Sequence, residues 1–312
     1  MIKYLKIICS FLTLVLVLSV NAQQNPRFNT YVYNLSVVNP AVAGTGKGLE
    51  LYGGIRNQWA GASNGPETHT FNINKKVKNR VGVGLNVVND DVFIVSDVGV
   101  YFDFSYQLQL AENTDLFLGL KGGGSFLSID FNRLEIEGDN LLMGNFSKYN
   151  PNVGVGAYME NEKYFISLSV PRLLKNDRFD EVQNSLADDR AHIFLGLGYV
   201  FNLSDSWDIK PQSMANAVSG APLALDVTLL ANYSDKFEFG TNYRFDESIT
   251  GIATFVFSDY GKIGFSYEYA TTDIQDFNNG SFEIFAKFNI GSTIDFQEKI
   301  KDEEYDDDDD GL

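Results

Sequence analysis

The chain has 312 residues, 41 acidic against 24 basic, and a formal charge of −17. So acidic a chain does not bind nucleic acid through a general electrostatic field. A single Cys excludes a disulfide scaffold, and 25 Phe, 16 Tyr and 28 Gly beside 7 Pro point to a β-rich fold.

In chain order, the first element reads as a leader. Lys3 and Lys6 precede an apolar run from Ile7 to Leu18, and Val20-Asn21-Ala22 offers a small-residue exit. This is the pattern of a secretory signal peptide cut after Ala22, and the run is short for a retained membrane helix. Cleavage removes two lysines and no acid, so the charge falls from −17 to −19. It also removes Cys9, leaving a mature chain with no thiol and no thiolate metal site. Residues 23–48 form a lead-in. Asn39-Pro40 sets a bend, Gly44, Gly46 and Gly48 loosen the chain, and Tyr31, Val32, Tyr33, Leu35, Val37 and Val38 make the segment too apolar for a free tail. It is expected either to enter the interior of the following domain as a plug or to lie across its mouth as a strap.

From Leu49 onward period-2 alternation dominates. Fourteen segments carry it: 49–58, 68–74, 80–89, 98–109, 115–130, 152–160, 163–171, 190–201, 207–214, 222–232, 236–244, 249–257, 260–270 and 281–289. In the fifth, the apolar parity slips around Gly122-Gly123-Gly124, which predicts a bulge or bend. Connections after even-numbered segments are short. Most after odd-numbered ones are longer, with extremes at 131–151 and 172–189 and a short exception after the eleventh. That alternation predicts an all-β fold: an antiparallel transmembrane β-barrel of the outer-membrane type, about 14 strands, spanning 49–291. Both chain ends then lie in the periplasm. There residues 292–312, ending Asp302-Glu303-Glu304-Tyr305 and five aspartates, would form a self-repelling, disordered tail. A specific acidic docking segment is the alternative.

A barrel in lipid turns its apolar face outward, because lipid cannot hydrogen-bond. The lumen would then receive the acids Glu50, Asp103, Asp226, Glu238, Glu268 and Glu283 and the bases Arg56, Lys121, Arg244, Lys262 and Lys287. A set so nearly balanced in sign suits a cross-paired interior or a plug seat better than an ion-selective pore. Trp59, Tyr106, Tyr199, Tyr243 and Tyr269 suit interfacial girdles. Catalytic chemistry is not in view: the two histidines, His69 and His192, join no triad, metal pair or phosphate loop, so neither an enzyme nor a cofactor is expected.

The stretch from Gln23 to Asn74 resembles the start of the PorP/SprF family of type IX secretion and gliding proteins. The resemblance is carried by Asn25-Pro26, Tyr31 to Asn34, Asn39-Pro40-Ala41 with Ala43-Gly44, Arg56 to Trp59, and Gly65-Pro66 with Thr68. Asn25 stands where an acid is expected and Val42 where an aromatic is. The final Phe288 to Gly291 adds weaker support. The resemblance implies a non-enzymatic outer-membrane protein embedded in lipid. It works either with the periplasmic secretion rings or with one secreted adhesin, whose C-terminal domain it exports and holds at the surface. A diffusion porin is the rival reading. The two long outer connections carry Leu134, Ile136, Leu141, Leu142, Met143, Phe146, Leu173, Leu174 and Phe179, apolar anchors expected to contact a protein partner or to fold inward over the lumen.

Overall fold

In a computed structural model, residues 28–46, 48–62, 64–133, 145–174, 190–258 and 260–291 are described. The expected leader and acidic tail lie outside them. The strands are β1 (Leu49–Asn57), β2 (Glu67–Lys78), β3 (Val81–Val92), β4 (Val95–Ala111), β5 (Thr114–Asp130), β6 (Asn145–Glu160) and β7 (Tyr164–Val170). Next comes β8, which runs His192–Tyr199 and resumes over Phe201–Ser204 after a break at Val200. Then follow β9 (Trp207–Val218), β10 (Ala224–Tyr233), β11 (Phe237–Arg244), β12 (Ser248–Ser258), β13 (Gly261–Ala270) and β14 (Ser281–Ile290).

Each strand pairs antiparallel with its chain neighbour, and β14 closes on β1 through Leu49↔Ile290 to Asn57↔Phe282. The closed barrel leaves no sheet edge along that seam, as a membrane-spanning sheet requires. Connections at one end are two or three residues wide. The other end carries the wider ones at 58–66, 131–144, 171–191 and 271–280. By the rule for such barrels the short-turn end is periplasmic, and it holds both Leu49 and Ile290.

Alternation along the strands decides the two surfaces. On β4, Phe102, Phe104 and Tyr106 are exposed, while Asp103 and Ser105 between them are buried. The expected girdle aromatics are all exposed: Trp59, Tyr243 and Tyr269 near the long-loop rim, Tyr106 and Tyr199 nearer the other. An apolar outer wall around a polar interior is the arrangement a membrane-spanning barrel needs.

Four details differ from the reading of the sequence. No bulge occurs at Gly122–Gly124, where both neighbouring registers run through without a shift. Facing stays regular there; it is the chemistry that changes, since Leu127 and Ile129 are apolar yet buried on the inner face. The register shifts sit instead at the short-turn end, at Lys76/Lys78, Gln109/Ala111, Trp207/Asp208 and Val256/Ser258, where tight turns need extra twist. The connection after β3 is also short: Asp90 to Val92 pair with Val95 to Asp97, leaving a hairpin at Phe93-Ile94 with Phe93 at φ 56°. Finally, β6 begins at Asn145, seven residues before the expected 152. Phe146 is therefore a strand residue opposite Ile129 rather than part of a loop.

Strands β4 and β5 have 17 residues each and β6 has 16, against about 9–11 needed to cross the hydrocarbon. They extend past the bilayer, whereas β7 has only 7. We expect Phe104→Arg, on the lipid face, to cost about 2–4 kcal/mol of folding free energy, read as a lower urea midpoint in refolding into liposomes. Phe104→Leu should leave that midpoint nearly in place.

Candidate functional site: the filled lumen and the outer rim

Residues 28–46 run through the barrel. Asn29 and Thr30 meet Glu283 through the Asn29 amide, 3.0 Å from Oε2, and the Thr30 hydroxyl on Oε1. Arg244 donates to Asn29 Oδ1 at 3.3 Å. Glu283 lies opposite Arg56, and Arg244 opposite Asp226 and Ser248, all near the long-loop ends of their strands. The segment therefore starts in the outer half of the lumen. It descends through Tyr33 and two single-turn 3-10 helices, Leu35–Val37 and Pro40–Val42, and reaches the short-turn end at Gly44, against Gly82 and Lys75.

The Asn39-Pro40-Ala41 bend is the tightest part. Asn39 accepts from the Ala41 amide at 2.9 Å, which caps the turn, and Pro40 suits its first position. The Asn39 amide also donates to Ala157 O at 3.0 Å and Ser167 Oγ at 2.8 Å, anchoring the bend to β6 and β7. Asn39, Ala41 and Ala43 are fully buried. Room for them comes from inward glycines. A Cβ on Gly119 would collide with the Ala41 backbone, one on Gly156 with the Asn39 side chain, and one on Gly82 with Ala43 O. Gly44 takes φ +73°, and a Cβ there would sit 2.6 Å from Gly82 Cα. The alternating glycines of β3, β5 and β6 are thus the seat of this bend.

Around the seat the polar groups form two connected systems. In the first, Asn34 donates to Asn72 at 2.6 Å, Asn72 to Asn86, and Asn86 to Asp103. Asp103 pairs with Lys121 at 2.9 Å, and Lys121 returns to the plug at Ser36 O, 3.3 Å away. In the second, Arg56 meets Glu268 at 3.2 Å and Glu283 at 3.6 Å. Glu268 also meets Arg244 at 3.4 Å, which holds Asp226 at 2.7 Å. Nearer the periplasm, Lys287 pairs with Glu50 at 2.8 Å and donates to Tyr33 O at 3.3 Å. The Tyr33 hydroxyl donates to Glu238 at 2.6 Å. Lys262 stands 4.9 Å from the centre of the Tyr33 ring, a cation–π distance, and Phe285 lies against both Tyr33 and Tyr52.

All eleven charged residues assigned to the lumen by parity therefore lie in contacts with one another or with the plug. Lys210 belongs with them, 2.7 Å from Glu238. It was missed although it alternates with Ile209 and Pro211. Asn29, Thr30, Asn34 and Asn39 were not foreseen individually either, because their partners are distant in sequence. His69 sits on the outer wall 2.7 Å from Glu67, and His192 is buried beside Asn216 at 3.1 Å. Between plug and wall remains a cavity of about 170 Å³, space for a few waters.

At the outer rim, Leu173 and Leu174 are exposed. Asn152 clamps their backbone, accepting from both amides at 2.9 and 3.1 Å and donating to Leu174 O at 3.0 Å. Phe146 is half-buried in β6. Leu134, Ile136, Leu141, Leu142, Met143 and Phe179 lie outside the described residues.

The family model for the type IX secretion system membrane protein PorP/SprF matches residues 20–288. The chain belongs to that family. No curated protein matches it. Among solved structures, the Acinetobacter baumannii outer membrane protein Omp33 is similar at 10% identity and TM-score 0.47, over 78% of this chain and 97% of that one. The Ralstonia pickettii toluene transporter TbuX is similar at 12% identity and TM-score 0.47, over 80% and 91%. A monoaromatic hydrocarbon channel, CymD, gives 11% identity and TM-score 0.46, over 81% and 90%. By its family match and its own closed antiparallel barrel, this PorP/SprF protein is an outer-membrane β-barrel of type IX secretion, and that family membership implies components of the system as partners.

Two outcomes test the lumen. Asp103→Ala leaves Lys121 buried without its carboxylate and should cost about 3–5 kcal/mol, seen as a lower temperature of heat-modified gel mobility. Gly119→Val fills the Ala41 seat and should displace the plug, giving a conducting barrel in planar bilayers. The outward neighbour change Leu118→Val should not conduct.

Proposed function

We propose that this PorP/SprF barrel is a non-enzymatic outer-membrane partner for the secretion and surface attachment of one cognate adhesin, whose C-terminal domain it holds at the outer rim. After export, its leader is removed at Ala22. The observation that carries the reading is the lumen: residues 28–46 run through it with hydrogen bonds to wall strands from β2 to β14, so that among the described residues it is occupied by the chain itself, where a diffusion porin needs a wide aqueous path. With the interior committed, the surfaces available for work are the rims. The exposed Leu173-Leu174 pair, held out by Asn152, is the kind of apolar anchor that dominates protein contacts. The interior charges serve packing rather than catalysis, since each faces an opposite charge, the plug or an aromatic ring.

Affinity isolation of the full barrel from detergent-solubilised outer membranes tests this. The expected result is one secreted adhesin co-purifying with wild type and lost from a Leu173→Ser, Leu174→Ser double variant that keeps its heat-modifiable mobility. Retention of periplasmic ring components alone, with no secreted protein, would transfer the function to the secretion ring. An open conductance from wild type would restore the porin reading.

A further inference from the structure

At the short-turn end the β2–β3 turn is strongly basic. Lys75, Lys78 and Arg80 are exposed, and none has an ion-pair partner among the described residues. That contrasts with the interior, where the cations are engaged. Lys76, between them, bonds Gln107 at 2.7 Å. The last strand ends beside this turn: Ile290 pairs with Leu49, and Leu49 with Lys75, so two strand spacings, about 10 Å, separate them.

We propose that the acidic C-terminal segment of this chain, Asp302–Glu304 and Asp306–Asp310, docks on the basic β2–β3 turn. Three arguments select this occupant. The first is charge complementarity: an otherwise self-repelling run of carboxylates meets the exposed cations of this turn. The second is reach: residues 292–301 form a tether that extends to roughly 30 Å, well beyond the gap. The third is concentration. Tethering makes the encounter intramolecular, at an effective concentration on the order of millimolar. Exposed pairs worth about 0.2–1 kcal/mol each then sum to a populated contact. The docked segment crosses beneath the β14–β1 seam, where residues 44–46 leave the lumen, and it withholds the cations from other anionic partners at that rim. This inference is independent of what the outer rim binds.

The only cysteine is Cys9, in the leader, so Asn79→Cys and Gly311→Cys give a clean pair of spin-label sites in the full mature chain. In zwitterionic nanodiscs at low salt a short-distance population is expected. It should vanish in about 1 M salt, where charges are screened beyond roughly 3 Å. It should vanish too in the Lys75→Glu, Lys78→Glu, Arg80→Glu variant, and return when Asp306–Asp310 are changed to lysine in that variant. Lys76 is left intact, and heat-modifiable mobility verifies the barrel in each case. Equal broad distributions in wild type and the reversed turn overturn the proposal. So do short distances that survive reversal. Short distances that disappear only when the nanodiscs contain anionic lipid would assign the turn to lipid headgroups, and overturn it as well.

Discussion

A closed barrel has one interior to satisfy, and here that interior is charged. The dominant constraint is that every ionised group turned inward must find an opposite charge or a hydrogen bond, because a buried charge left alone costs several kcal/mol. The wall alone does not meet it. Glu283 relies on the Asn29 amide and the Thr30 hydroxyl as well as on Arg56, and Lys121 reaches Ser36 O beyond Asp103. The N-terminal segment thus completes the wall's hydrogen bonding, and wall and plug form one cooperative unit. The glycine seat follows from the same need. A bend can bring its own polar backbone into such an interior only if the wall retreats to backbone where it passes.

Function inherits this economy. A barrel whose interior is consumed by its own chain retains the lipid face, the periplasmic rim and the outer rim for work. The outer wall is predominantly apolar. The two rims differ chemically, one offering exposed leucines on a clamped backbone and the other bearing lysine and arginine, so they suit different partners.

Much of the fold was legible because facing in a strand has a strict period of two. All fourteen strands were placed, and inward charges such as Asp103 and Arg244 could be read from parity alone. What escaped reading depends on pairing across the chain. Residues 90–97 look like a loop because Asn89, Asp90 and Asp91 are polar, yet the β3–β4 ladder continues through them. The start of β6 was hidden by Pro151, which reads as a strand breaker but faces Gly124 within the ladder. At the site, the Asn39-Pro40-Ala41 bend was recognisable as a motif. Its seat was visible only as glycines alternating with valines, with nothing local to say which bend they received. The outer-rim anchors were legible as apolar residues in polar surroundings, but only Leu173 and Leu174 among the described ones are exposed there.

The direction of the plug has a consequence for assembly. Phe28 packs with Tyr31 and Phe194, and its neighbour Asn29 lies near the outer ends of β11 and β14, while β1 begins at the opposite mouth. The chain is therefore threaded: it doubles back along the axis before the first strand starts. Contacts between Asn29 or Thr30 and Glu283 span 254 and 253 residues, so they form only when the last strand arrives. Non-local contacts of this kind are slow to form. The pairing of β14 with β1 is therefore what brings Glu283 to its partners on the thread, so closing the seam and anchoring the thread depend on the same strand.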